Sequence, residues 1–338
     1  MPDKPVPEYD AAAKWLADRR RPLLASHRRP DGDALGAIAG LSRLLAQRGA
    51  APAALLFEPF PARYTVLKGD GEWRELPPGP SPATAWADRD ALVILDTCSS
   101  SQLEPIAAGL PQAPPTLVID HHRTADDIGC RAGDLRVIDA SAGACCLMIA
   151  ELALSRGWTI DAPAATALYT GMATDCGWFR FSNADARLLR AAAEMVERGA
   201  KPDRLYEAIY QQEPAARLRL IGRMLAGLEL RAGGRLTVLR VRQSDFAASG
   251  ADESMTEDLV NEAGRIAGNV ATAMFSEQVD GEVRINLRSR HTVDVSRLAQ
   301  RFGGGGHERA AGARQRGDFE QIVALVCAAV EAELSHGD

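Results

Sequence analysis

Two apolar runs constrain this chain more than any other feature. Ala91–Asp96 reads ALVILD and Thr116–Asp120 reads TLVID, each running without polar alternation to a terminal aspartate. A strand with one wet face would alternate, whereas a continuous run belongs to a strand buried on both faces. Such strands need helices above and below them. The flanking segments supply those helices. Pro22–Ser26 (PLLAS) reads as a strand and is followed by an amphipathic helix over Ala34–Arg48, stopped by Gly49. Pro52–Phe57 and Val137–Ile138 read as further strands, and residues 142–155 and 164–174 as helices. Strands alternating with helices predict an α/β fold with a doubly wound, mostly parallel sheet.

The texture changes in the last third. Helices over Ala184–Gly199 and Pro202–Tyr210 lead away from the sheet. Beyond Leu228, Leu236–Val241 and Val283–Arg288 alternate like half-buried strands, with a helix predicted over Glu257–Ile266, a loop over Gly303–Gly306 and a last helix over Phe319–Leu334. A chain of 338 residues suits two domains. The expected organisation is a catalytic domain over 1–190, a helical linker over 191–228 and a smaller α/β substrate-binding domain over 229–338, with a cleft between the two domains. Leu76–Pro82 (LPPGPSP) reads as a connector.

Charge narrows the range of partners. The formal net charge is -6, which argues against a protein that grips long duplex nucleic acid. Val283–Arg316 nonetheless carries eight arginines against two acids, around a run of four glycines. An anionic partner should therefore be small and locally bound. The six cysteines form no C-x-x-C pair, so neither a zinc knuckle nor a redox dithiol is indicated, and reduced thiols are expected. The polar N-terminus has no apolar core of a signal peptide, and no long uncharged apolar stretch follows. A cytoplasmic protein without a membrane partner is the expectation.

Acidic and imidazole side chains gather where the strands end. His27, Asp31 and Asp33 crowd one turn of SHRRPDGDALG, between a strand and a helix. Taken alone, Asp33 is equally well read as the cap of that helix. Asp96 ends a wholly apolar strand, where an unpaired buried carboxylate is costly. Asp120, His121 and His122 follow another such strand, and Asp175 ends a helical stretch in TGMATDCGWF. In a doubly wound sheet, sites form at the carboxyl ends of the strands, so these clusters should meet. So many carboxylates at contact distance repel one another unless cations neutralise them. Two divalent ions sharing one carboxylate would satisfy them. The mixed imidazole and carboxylate donors suit Mn²⁺, with Mg²⁺, Fe or Zn as alternatives, rather than a soft metal.

The series SHRRPDGDALG, VILDT, IDHH and TGMATDCGWF resembles the four motifs of the DHH phosphoesterase superfamily. GGGGHERAAGA, Gly303–Ala313, resembles the glycine-rich motif of its associated second domain. Order and spacing match over nearly the whole chain, closest to the nanoRNase (oligoribonuclease) and pAp phosphatase branch. The resemblance implies two metal ions, one held by His27, Asp31 and Asp96, the other by Asp33, Asp96, His121 and Asp175. It implies that His122 faces the substrate phosphate and that Asp120 orients His121. It also implies that Arg288 and Ser289, with Gly304, Gly305 and His307, bind substrate from the second domain. Two departures stand out: Cys176 replaces a usual Thr, and ASAGACC (Ala140–Cys146) is a loose version of a Ser/Thr-rich segment. Neither removes a ligand.

The implied activity is metal-assisted hydrolysis of two- to few-nucleotide RNA and of 3′-phosphoadenosine 5′-phosphate (pAp), with His122, Arg288 and His307 stabilising phosphoryl charge. The four glycines independently offer bare backbone and N–H groups to an anion. A cyclic-dinucleotide phosphodiesterase and an exopolyphosphatase or pyrophosphatase are the rival enzymes, and a nucleotide-binding regulatory protein is the non-catalytic rival. The preferred substrate, the direction of chain attack and a homodimeric state are left open by the sequence.

Overall fold

The computed structural model describes residues 7–76, 85–123, 126–290 and 293–336. The expected connector over Leu76–Pro82 falls almost wholly outside the described residues. The chain divides into two compact units, residues 1–212 and 213–338.

The first unit opens with helix α1 (Pro7–Ala17), strand β1 (Pro22–Ala25) and helix α2 (Gly32–Ala46). Strands β2 (Ala53–Leu56), β3 (Trp73–Glu75), β4 (Ala91–Leu95), β5 (Thr116–Asp120) and β6 (Leu135–Ile138) follow. Helices α3 (Cys145–Ser155), α4 (Ala162–Asp175), α5 (Ala186–Glu197) and α6 (Pro202–Tyr210) complete it. The six strands form one sheet in the order β3-β2-β1-β4-β5-β6, and every pairing is parallel.

The unbroken apolar runs now have their reason. Val93, Leu95, Leu117 and Ile119 face one core with residues of α1 to α5. Leu92, Ile94 and Val118 face another with Trp86, Leu103 and Ile106. Each of these strand side chains is almost wholly excluded from solvent, and each such burial stabilises the fold by about 2 kcal/mol.

Strand order reverses between β1 and β4. That topological switch leaves a crevice at the carboxyl ends of those two strands, the ends that carry His27 and Asp96. Helix α2 presses closely on α4. A Cβ on Gly36 would lie 2.5 Å from the Ala167 carbonyl, and one on Gly171 would lie 2.6 Å from an Asp33 oxygen. Only glycine lets these helices approach this closely, and the approach carries Asp33 towards Asp175.

The second unit begins with helix α7 (Ala215–Ala226) and strands β7 (Glu229–Arg231) and β8 (Leu236–Val241). Helix α8 (Gln243–Ser249) precedes strands β9 (Ala271–Glu277) and β10 (Glu282–Ser289). Helix α9 (Val295–Gln300), strands β11 (Gly305–His307) and β12 (Ala310–Arg316) and helix α10 (Phe319–His336) end the chain. The sheet order is β11-β12-β10-β9-β8-β7, antiparallel except for β8 with β9.

Two expectations are corrected here. Residues 259–265 form a 3-10 helix, where an α-helix was expected over 257–266. The glycine run is half loop and half strand, because Gly305–His307 pairs as an edge strand with β12. Among the described residues, no helix is long and apolar enough to cross a membrane.

Candidate metal centre

The loop after β1 brings in His27 and Asp31. Asp31 caps α2, its Oδ1 accepting from the amides of Asp33 (2.9 Å) and Ala34 (3.1 Å). The capping role that the sequence allowed for Asp33 thus belongs to Asp31, and its other oxygen is left for a cation. Asp33, in the first turn of the helix and wholly buried, points across to the start of α3. Its carboxylate accepts from the amides of Cys145 (2.6 Å) and Cys146 (2.9 Å). The positive end of a helix thereby steadies a charge that has no solvent.

Asp96 stands at the switch point with φ +60°, a left-handed backbone that costs free energy in a non-glycine residue and concentrates at functional sites. Its carboxylate is the hub. His27 Nε2 lies 3.5 Å from Oδ2, and His121 Nε2 lies 3.2 Å from Oδ1. The second contact is short but misaligned, and both Asp96 Oδ1 and His121 Nε2 are buried without a hydrogen-bond partner.

The two rings are prepared alike. His27 Nδ1 sits 2.8 Å from the Arg28 carbonyl and His121 Nδ1 sits 3.2 Å from the Ala142 carbonyl. Each carbonyl accepts the Nδ1 proton, which turns Nε2 inward, free to bind a cation once its own proton has left. Backbone carbonyls set metal-ligating imidazoles in this way.

Asp120 was expected to orient His121. The structure instead gives its Oδ1 to His122, accepting from the ring Nδ1 at 2.7 Å and from the backbone amides of His121 and His122. Asp120 is fully buried, while the His122 side chain is about half exposed (53%). An imidazole held by a carboxylate on one nitrogen and open to solvent on the other can present a proton to an incoming anion. Asp175, the last residue of α4, accepts from Asn183 Nδ2 at 2.9 Å, and the same amide donates to the Gly143 carbonyl at 3.0 Å. Asn183 escaped the sequence reading. The Asn that turns the chain into α5 sits eight residues past Asp175, with no local signal of its target.

Donor atoms lie within 4.8 Å of one another in each of three overlapping groups: His27, Asp31 and Asp96; Asp33, His121 and Asp175; and Asp96, His121 and His122. All six residues expected as metal ligands are therefore gathered. Burial raises the Asp33 carboxyl well above the ordinary range, with Asp96 and Asp175 adding repulsion. Burial likewise lifts Asp175 to about 6. For His27, burial works downward, but contact with Asp96 outweighs it and pushes the ring to about 9. His121 reaches about 10 by the same balance. Asp96 is held down despite its burial by the two imidazoles beside it. Without cations, protons must neutralise this cluster. The orphaned Asp96 oxygen and His121 nitrogen, the inward Nε2 atoms and the mixed donor set all fit divalent ions.

The second-unit residues are placed differently. Arg288 lies at the end of β10, its guanidinium donating to the Leu287 carbonyl at 3.1 Å. The Ser289 hydroxyl donates to the Val293 carbonyl at 2.6 Å. His307 is exposed on the edge strand. The amides of Gly303 and Gly304 donate to the carbonyls of Gln300 and Ala299. Half of the amides expected to face an anion are thus spent within the turn. Gly304 serves close packing instead, since a Cβ there would meet the Gly312 carbonyl at 2.1 Å.

Residues 23–172 match the N-terminal domain of the DHH family and residues 233–332 match the DHHA1 domain. The chain belongs to the DHH family. It is 32% identical, over 98% of its own length and 97% of the relative's, to a bifunctional oligoribonuclease and PAP phosphatase of Thermus thermophilus. A protein of the same description from Bacillus subtilis is 29% identical over 86% of this chain and 88% of that one. The fold is shared with an exopolyphosphatase-related protein from Bacteroides fragilis, at 21% identity, a TM-score of 0.81 and 98% coverage of both chains.

Proposed function

We propose that this protein is a metal-dependent phosphoesterase that hydrolyses short oligoribonucleotides and pAp. The observation that carries the reading is the buried Asp96 carboxylate lying 3.5 Å from His27 and 3.2 Å from His121, each imidazole fixed by a backbone carbonyl and each belonging to a group of converging donors. Full-length similarity to relatives described as oligoribonuclease and PAP phosphatase supports the substrate class.

His27, Asp31 and Asp96 would hold one ion, and Asp33, Asp96, His121 and Asp175 the other, Mn²⁺ by the donor chemistry. Bound divalent ions supply Lewis acidity at the phosphoryl oxygens and make water nucleophilic near neutral pH. The chain's own residues do the rest. His122, braced by Asp120, hydrogen-bonds a phosphoryl oxygen and stabilises the charge that grows on it. Asn183 and the α3 amides keep Asp175 and Asp33 in place. Arg288 and His307 contribute charge and hydrogen bonds to the nucleotide.

The test is hydrolysis of di- to pentaribonucleotides, pAp, a cyclic dinucleotide and pyrophosphate by protein dialysed against EDTA, then with Mn²⁺ or Mg²⁺ restored. Turnover of the first two classes should vanish with the chelator and return with Mn²⁺. Undiminished turnover in excess EDTA removes the metal reading. Preference for pyrophosphate or the cyclic dinucleotide removes the substrate reading.

A further inference from the structure

Directly after Asp175 the chain takes an unusual course. Trp178 and Phe179 both have positive φ, +57° and +64°, a conformation that bulky residues adopt only when the surroundings enforce it. The turn delivers the Trp178 ring to α6. There it meets Tyr206 (centroids 5.2 Å) and Tyr210 (5.4 Å), which also touch each other (5.1 Å). The Arg63 guanidinium lies 4.8 Å over the Tyr210 ring and has no acidic partner among the described residues.

This cluster is not ordinary core. Tyr206 is 40% exposed, and its ring opens on a cavity of about 430 Å³ lined by Trp178, Pro202, Asp203, Tyr206, Glu207 and Gln211. Small-ligand sites span roughly 300–1,000 Å³. The cluster is also tied to the metal loop. Trp178 and Tyr210 pack with Tyr64 against Leu35, four residues beyond Asp31. The whole arrangement lies within the first unit.

The lining chemistry selects the ligand. Two carboxylates, Asp203 and Glu207, share the Arg204 guanidinium (3.8 and 3.2 Å) and keep oxygens that accept hydrogen bonds from the amino groups of a base. Aromatic faces flanked by arginine stack bases of any identity. We propose that Trp178 and Tyr206, backed by Tyr210 and Arg63, form a stacking seat for one nucleobase of the oligoribonucleotide substrate. The proposal rests on the reading of the chain as an oligoribonucleotide phosphoesterase.

The experiment uses the full chain with Mn²⁺ and a trinucleotide of adenosine, made abasic at each position in turn. Wild-type kcat/KM should fall about tenfold when one particular base is missing. Tyr206→Leu should lose that preference, treating the complete and abasic trinucleotides alike, and Tyr206→Phe should keep it. A Tyr206→Leu variant that melts normally yet keeps the wild-type preference overturns the proposal. So does a change of mass in solution, which would make the patch a self-association surface. A binding arm separates the seat from the activity. In EDTA, the trinucleotide should quench tryptophan fluorescence in wild type and much less in Trp178→Phe. Quenching without turnover sinks the activity reading and keeps the seat; equal quenching in both proteins sinks the seat.

Discussion

The metal centre and the glycine-rich edge of the second sheet sit at opposite extremes of organisation. Around Asp96 three carboxylates, Asp33, Asp96 and Asp120, are buried, and the donors are already directed by backbone carbonyls and amides. Around Gly303–His307 the side chains are exposed and half the glycine amides are internally satisfied. The first region is built before any ligand arrives, and its free energy is already committed to geometry. The second offers charge and a flat backbone at little structural cost. The difference implies that changes in the first region abolish chemistry, while changes in the second weaken binding.

The sharpest break concerns Asp96. Asp96→Ala removes the carboxylate that lies beside both His27 and His121, and leaves the positive φ no easier, since alanine tolerates it less well than aspartate. Activity with Mn²⁺ should fall by about a thousandfold or more, while the protein still melts as a folded chain. Steady-state kinetics beside a thermal melt decide it. Near-normal turnover would reduce Asp96 to a strand-end cap and erase the contrast between the regions.

A second test works from the other side. Arg288→Ala and His307→Ala each remove a charged or polar group, the first from a half-buried position and the second from an exposed one. Each should lower kcat/KM on pAp and dinucleotides by roughly 10- to 100-fold, the size of one lost charge-assisted hydrogen bond. The Mn²⁺ concentration for half-maximal activity should not move. A shifted metal requirement would show that the second unit's residues act on the metal centre and not on substrate binding alone.

The same contrast governs what could be read without coordinates. Asp96, Asp120 and His121 stand out because a polar residue ending a doubly buried strand is a local anomaly. The partners that fix them are not local. Asp33 binds amides more than a hundred residues away, and nothing in ASAGACC advertises a helix start that receives a carboxylate. Strands β9 and β12 were missed for a compositional reason. ATAMFSE lacks clean alternation, and AAGARQR is poor in β-branched residues. Each is made a strand by its neighbours, β12 lying between β10 and β11. Short-range periodicity carries no record of such pairing. The Asp120–His122 pairing was misassigned because adjacent histidines at a strand end are indistinguishable until their rings are placed.

The smallest expected effect concerns pH and probes how far the buried cluster depends on protons. Asp175 rises from 3.8 to about 6, and Asp33 is also raised well above its ordinary value. For an acid whose pKa is higher in the folded state, the folded chain holds the proton longer, so stability is lost as pH climbs through that interval. His27 and His121 rise from 6.5 to about 9 and about 10. A histidine with a raised pKa stabilises below 6.5, and that contribution disappears as pH passes the folded value. Both types therefore have the same sign. The cluster's contribution to the stability of the metal-free protein should fall steadily from about pH 4 to pH 10, opposed within the cluster at the acidic end by the lowered Asp96. Mn²⁺ displaces the protons that neutralise the cluster, so its stabilising effect should grow with pH over the same range. Differential scanning fluorimetry at pH 5, 7 and 9, in EDTA and in Mn²⁺, reads this as a widening gap of a few degrees between the two curves. Parallel curves would mean that the carboxylates and imidazoles titrate independently of the ion, and that the cluster around Asp96 does not exchange protons for metal.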